Sequence, residues 1–276
     1  MVKPRLIFTL LHNKGAFMLS RNFRLQHVGD LDWIKKCYNF NSIAFSIDEL
    51  VVLNVERGDK DMRLFSKNIS ELIKNCFMPI AAGGGIKSVE AAFMLFDAGA
   101  DKLVVNTAIV KDPKLIKELV KIFGGQSIVA SIDYKTVGDR QYVFIDNGVT
   151  DTGLSVEEVL KSAIDLGVGE IYLTSINKDG TGQGYDITTV RKISAISPMP
   201  VIASGGVGRF DHLVDGIIKG NAQAVSTANL FNFMVDGLNE ARIVMKEHGI
   251  ALSEWRMGAG LFFAAPNGEK TCERCL

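Results

Sequence analysis

Residues 82–107, AGGGIKSVEAAFMLFDAGADKLVVNT, and residues 203–228, ASGGVGRFDHLVDGIIKGNAQAVSTA, are two copies of one pattern. They align without a gap at an offset of 121 residues, so that Gly84 falls on Gly205, Gly85 on Gly206, Gly99 on Gly220 and Asn106 on Thr227. Each copy reads as the end of an apolar strand, a glycine cluster, a helix and a second apolar strand. An offset close to half of the 276-residue chain implies two homologous halves. Solenoid repeats have shorter periods, about 20–50 residues, and are excluded.

Outward from these copies, short runs rich in Val, Ile and Leu alternate with helical patterns. The runs predict strands over Arg5–Leu11, Leu50–Val55, Met78–Ala82, Leu103–Asn106, Ser127–Ile132, Ile171–Thr174, Pro200–Ala203 and Ala224–Ala228. Between them, Ser88–Ala98, Pro113–Phe123, Ser155–Leu166 and Asp211–Lys219 predict helices. Continuously apolar strands suit a parallel sheet buried on both faces. Eight strand-then-helix units in order predict an α/β fold, a (β/α)₈ TIM barrel built from two homologous half-barrels. The barrel is expected over residues 1–256, with a C-terminal extension over 257–276.

Composition narrows the function. Lys+Arg and Asp+Glu both number 31, so no global charge favours nucleic acid or an anionic membrane as partner. The N-terminal MVKPRLIFTLLHNKG holds an apolar run too short for a signal peptide or a membrane span. Of the four cysteines, Cys37 and Cys76 fall in apolar helical stretches and read as buried thiols. Nothing resembles a disulfide framework, and the chain reads as soluble and cytoplasmic. Cys272 and Cys275 supply at most half of a structural zinc site; no metal and no cofactor are expected within the barrel.

Chemistry is expected at the face where the strands end. There the glycine clusters Gly83-Gly84-Gly85 and Ser204-Gly205-Gly206 permit close approach of a phosphate to backbone N–H groups. The candidate phosphate-binding residues are Gly84, Gly85, Asn106, Thr107, Gly180, Gly205, Gly206, Ala228 and Asn229. Two such ends suit a small ligand with a phosphate at each end. Asp133 closes the fifth strand and is the candidate catalytic acid/base. Its counterpart after the first strand is Leu11, and the second and sixth strands are read as ending in Asn54 and Asn177. His12 reads as a solvated loop histidine. Glu56 and Arg57 head the second loop, and Asp179 lies in the glycine-rich NKDGTGQG, a loop able to fold over a ligand.

Gly83-Gly84-Gly85-Ile86, Val105-Asn106-Thr107-Ala108, Ser131-Ile132-Asp133, Leu173-Thr174-Ser175-Ile176, Lys178-Asp179-Gly180-Thr181, Gly184-Tyr185-Asp186 and Ile202-Ala203-Ser204-Gly205-Gly206 follow one family pattern. From about Arg5 to Gly249 the chain resembles the cyclase (synthase) subunit of imidazole glycerol phosphate synthase. The resemblance implies a glutaminase partner, ammonia carried through the barrel, and attack on a bisphosphorylated ribulosyl intermediate. It implies an ammonia gate at Arg5, Glu49, Lys102 and Glu170, with Asp101 at the glutaminase interface. It also implies two catalytic aspartates, of which Asp133 matches one while Leu11 stands at the other. The family's first-loop lysine is absent too, with Leu19 near its place and Arg21 close by. A branch with leucine at the first-strand position is associated with bacterial surface-sugar biosynthesis, beside a glutaminase and a separate sugar amidotransferase. Three readings follow: a subunit serving surface-sugar amidation, a histidine-pathway cyclase, or a non-catalytic scaffold or regulator of the glutaminase.

Overall fold

The apolar run at the N-terminus becomes strand β1 (Arg5–Asn13), buried from Leu6 to His12. In the computed structural model, which describes residues 3–38, 43, 45–74, 78–229 and 236–254, β1 sits between the last and the second barrel strands. The order continues as β2 (Ala16–Arg21), β3 (Arg24–Asp30), α1 (Leu31–Cys37), β4 (Glu49–Asn54), α2 (Met62–Ile73), β5 (Ile80–Gly83), α3 (Val89–Asp97), β6 (Lys102–Val105), α4 (Thr107–Lys111) and α5 (Pro113–Phe123). Then come β7 (Ile128–Val137), β8 (Arg140–Ile145), β9 (Thr150–Ser155), α6 (Val156–Leu166), β10 (Glu170–Ser175), α7 (Ile187–Ile196), β11 (Val201–Ser204), α8 (Phe210–Ile218), β12 (Ala224–Thr227) and α9 (Gly237–Glu247).

Strands β1, β4, β5, β6, β7, β10, β11 and β12 pair in parallel, each with the next, and β12 returns to β1. The result is a closed α/β barrel, the (β/α)₈ fold. All eight expected strands are present, with ends displaced by a few residues, the largest extensions being at the ends of β1 and β7. The four expected helices are present as well. Their starts follow from local chemistry: Ser88 and Ser155 cap α3 and α6, Ser155 in a reciprocal capping box with Glu158. Asp112 caps α5, which carries Pro113 in its first turn.

Strands β2, β3, β8 and β9 were not expected. They form two antiparallel hairpins, one extending β1 and the other β7. The duplication therefore includes a hairpin in the first loop of each half. Each turns on consecutive non-glycine residues with positive φ, Asn22-Phe23 in one and Asp146-Asn147 in the other.

Side chains alternate across each strand. Ile7, Val51, Ala81, Val104, Val129, Tyr172, Ile202 and Ala224 make one cluster inside the barrel, and the larger core lies between the strands and the helices. Next to the inner cluster, the Tyr172 hydroxyl lies within hydrogen-bonding distance of Thr9 (2.8 Å), Ser226 (2.9 Å) and Ser204 (3.1 Å), joining four strands. Cys37 is only partly buried, a correction to its expected burial. Cys76, Cys272, Cys275 and the expected extension over 257–276 lie outside the described residues.

Candidate active site at the mouth of a duplicated barrel

Strand register fixes what faces what at the mouth. Leu11 pairs with Leu53 on β4, and Asp133 pairs with Thr174 on β10. Leu53 and Thr174 are separated by the repeat offset of 121, so Leu11 and Asp133 are equivalent positions in the two halves. One carries a carboxyl group and the other a buried isobutyl group.

The Asp133 carboxyl receives hydrogen bonds from Ser131 Oγ (3.2 Å) and Asn106 Nδ2 (3.3 Å). Burial pushes its pKa up to about 7; hydrogen bonds from Ser131 and Thr174 pull the other way, and the negative Asp179 adds to the rise. A group poised near neutrality can give or take a proton under ordinary conditions. Its bond to Asn106 ties the acid to a candidate phosphate residue.

Both glycine clusters require glycine for a duplicated reason. Gly84 and Gly205 have φ of 94° and 90°, and a Cβ would lie 2.2 Å from Asn54 O and 2.7 Å from Ser175 O, respectively. Asn54 and Ser175 are themselves separated by the offset of 121. The sixth barrel strand thus ends at Ser175, which corrects the expectation that Asn177 closes it. Asn177 lies in the following turn, where its Oδ1 accepts a bond from the Thr136 N–H (2.8 Å). Of the other expected phosphate residues, Thr107 accepts a bond at Oγ1 from the Asp146 N–H (3.2 Å), and Asn229 donates its N–H to Thr227 Oγ1 (3.3 Å). Ala228 follows β12, half-buried.

The two hairpins cross the mouth. Asn22 Nδ2 donates to the carbonyls of Ile176 (3.0 Å) and Asn177 (2.9 Å) in the loop after β10. Asn147 Nδ2 donates to the Glu56 carbonyl (2.9 Å) in the loop after β4, and Glu56 and Asn177 are again one offset of 121 apart. Each half thus sends a strap onto the other half. The Asp179 carboxylate fastens one crossing, accepting from Ser20 Oγ (2.5 Å) and the Phe23 N–H (3.0 Å). A Cβ on Gly180 would lie 2.0 Å from Ser20 O, so this glycine is set by contact with the strap. The NKDGTGQG loop is accordingly tied down rather than free.

His12 is fully buried, not solvated. Pairing makes the reason plain: Leu11 faces inward, so His12 faces the helices, packing against Phe17 and Phe65 with Nε2 near Asn68 Nδ2 (2.9 Å). Burial lowers its pKa. Glu56 is also buried, its carboxylate accepting the N–H groups of Lys14 (3.0 Å) and Asp61 (3.1 Å). Arg57 donates to the Phe23 carbonyl (3.1 Å).

At the opposite end, Arg5, Glu49, Lys102 and Glu170 do come together. Arg5 Nη1 meets Glu49 at 2.8 Å, and its Nη2 pairs with Glu170. Lys102 Nζ reaches Glu49 at 2.9 Å and Glu170 at 3.0 Å. Two cations and two carboxylates make a neutral ring across the floor. Burial raises the Glu49 pKa against the pull of Lys102 and Arg5. Asp101 stands beside the ring as an exposed residue whose carboxylate accepts the Ile80 N–H (2.8 Å). Among the described residues, no group of three or more His, Cys, Asp or Glu could hold a metal ion, and no helix is long and apolar enough to cross a membrane.

Comparison with known proteins accounts for this arrangement. The profile of the "Histidine biosynthesis protein" family matches residues 35–235. A Parasynechococcus marenigrum (strain WH8102) protein, provisionally named imidazole glycerol phosphate synthase subunit hisF2, is 41% identical over 266 residues, covering 96% of this chain and 98% of the relative. Imidazole glycerol phosphate synthase subunit HisF of Chloroherpeton thalassium (strain ATCC 35110 / GB-78) is 42% identical over 253 residues, covering 91% and 99%. The chain belongs to the histidine-biosynthesis protein family, among the HisF-like cyclase subunits.

Proposed function

We propose that this chain is the ammonia-receiving, phosphate-binding subunit of a glutamine amidotransferase complex that serves amidation of a bacterial surface sugar. Its partners on this reading are a glutaminase subunit and a sugar amidotransferase. Leu11 opposite Asp133 is the observation that carries the proposal. Ring closure and cleavage of the family's ribulosyl intermediate need an acid and a base on opposite sides of the mouth, and removing one such group typically costs about 10²–10⁴ in rate. The neutral floor ring and both glycine clusters are intact beside that loss, which supports continued ammonia entry and ligand binding with changed chemistry above.

A second reading, a histidine-pathway cyclase, draws on the 42% identity to a HisF protein over nearly its whole length. Purified protein with ammonium and the bisphosphorylated ribulosyl intermediate separates the two. Negligible turnover, with at least trace activity gained by Leu11→Asp, agrees with the proposal. Robust turnover by the unaltered chain refutes it in favour of the second reading.

A further inference from the structure

We propose that Lys60 supplies the positive charge that holds the phosphate at the first-half end of the ligand. The inference rests on the reading of the glycine clusters as phosphate sites. Most features at the two ends repeat. Lys60 does not, because the position one offset later is Thr181, whose hydroxyl is spent on the Lys178 carbonyl (2.7 Å).

Placement against the glycine turn is direct. A Cβ on Gly85 would lie 2.6 Å from Lys60 Cδ, so this glycine leaves room for the lysine stem. At Gly206, the equivalent Cβ would meet the Gly184 carbonyl oxygen at 2.2 Å first and Lys178 Cβ only at 3.1 Å, so the second turn is closed mainly by backbone. The half-buried Lys60 donates to the Asn54 carbonyl (2.6 Å). Among the described residues no ion pair joins it to a carboxylate, whereas Arg5, Lys102 and Arg242 all have carboxylate partners. Lys135, also near the mouth, is offset by the Phe144 ring at 4.1 Å. Beside Lys60, the buried Asn54 Nδ2 finds no acceptor among the described residues. At this corner Lys60 thus has an uncharged acceptor and Asn54 Nδ2 has none, and an ammonium serves as a point-charge partner for phosphate. Burial lowers the Lys60 pKa to about 8 and the neighbouring Lys87 adds to the fall, while Glu56 and Asp146 pull it back up. A bound phosphate favours the charged form further.

Titration of the ¹⁵N-labelled full chain with inorganic phosphate, read at the amides of Gly84 and Gly85 against those of Gly205 and Gly206, tests this. The expected result is saturable binding at both ends, with Lys60→Met weakening the first end by about 10-fold, Lys60→Arg restoring most of it, and neither touching the second. From pH 7 to 9 the unaltered first end should weaken by up to about 10-fold, and Lys60→Met should abolish that difference from the second end. Equal binding by Lys60→Met and the unaltered chain at the first end overturns the role of Lys60 and leaves the phosphate sites standing. No phosphate response at either end in the unaltered chain overturns both.

Discussion

Replacing Lys102 with Met at the barrel floor isolates the energetics of the neutral ring. Lys102 Nζ lies 2.9 Å from Glu49 and 3.0 Å from Glu170, and its loss leaves both carboxylates to Arg5 alone. Breaking a buried pair by removing one partner costs about 3–5 kcal/mol. The Lys102 side chain is 22% exposed while that of Glu49 is 3% exposed, so solvent screens one member only, and the expected loss at neutral pH is about 2–4 kcal/mol. The pH dependence gives the sharper check. The folded pKa of Glu49 is already raised, and without Lys102 it rises further, so the folded state binds more protons than the unfolded one above the unfolded value. Stability then falls as pH rises through that window, the reverse of an ordinary salt-bridged carboxylate. Urea unfolding at pH 5.5 and 7.5 should show Lys102→Met losing at least twice as much at the higher pH. Adding Glu49→Gln, which removes the orphaned charge, should recover at least half the loss. Equal losses at both pH values, or a double variant weaker than the single one, would refute the reasoning.

At the mouth, the folded Asp133 has a pKa of about 7, above its ordinary value of 3.8, so stability falls as pH rises from the ordinary value towards about 7 and levels off above it. Asp133→Asn should therefore raise the Tm at pH 8 relative to pH 6 while abolishing any proton-transfer activity; a Tm change that is flat with pH contradicts the raised pKa. Tyr172→Phe removes a hydroxyl shared by Thr9, Ser204 and Ser226, and should cost about 1–3 kcal/mol in urea unfolding. A loss below about 0.5 kcal/mol would mean that the remaining hydroxyls re-pair among themselves.

The barrel was legible because its strands are apolar on both faces and its halves repeat. Runs such as Leu50–Leu53 and Ile171–Leu173 announce buried parallel strands whatever follows them. The hairpin strands do not, since β3 mixes exposed and half-buried positions without a fully buried residue and β9 is mostly polar, so both look like loop. Asp146-Asn147-Gly148 carried a turn signal, and Arg21-Asn22-Phe23 a weaker one. Asp133 was read from its place at a strand end, and the residues of the floor ring from the family pattern. His12 was misjudged because the alternation that turns Leu11 inward was not carried one residue further. Lys60 belongs to no motif; only the space left at Gly85 reveals it.

Because each strap rests on the opposite half, neither half owns a finished roof. Each half contains its own glycine cluster, yet each takes its cover from the other. A half-barrel taken by itself would reach with its hairpin for a loop that only a second copy could offer. Covalent fusion turns that exchange between strangers into a bond within one molecule, and it freed the two halves to diverge in their acids while still depending on each other for cover.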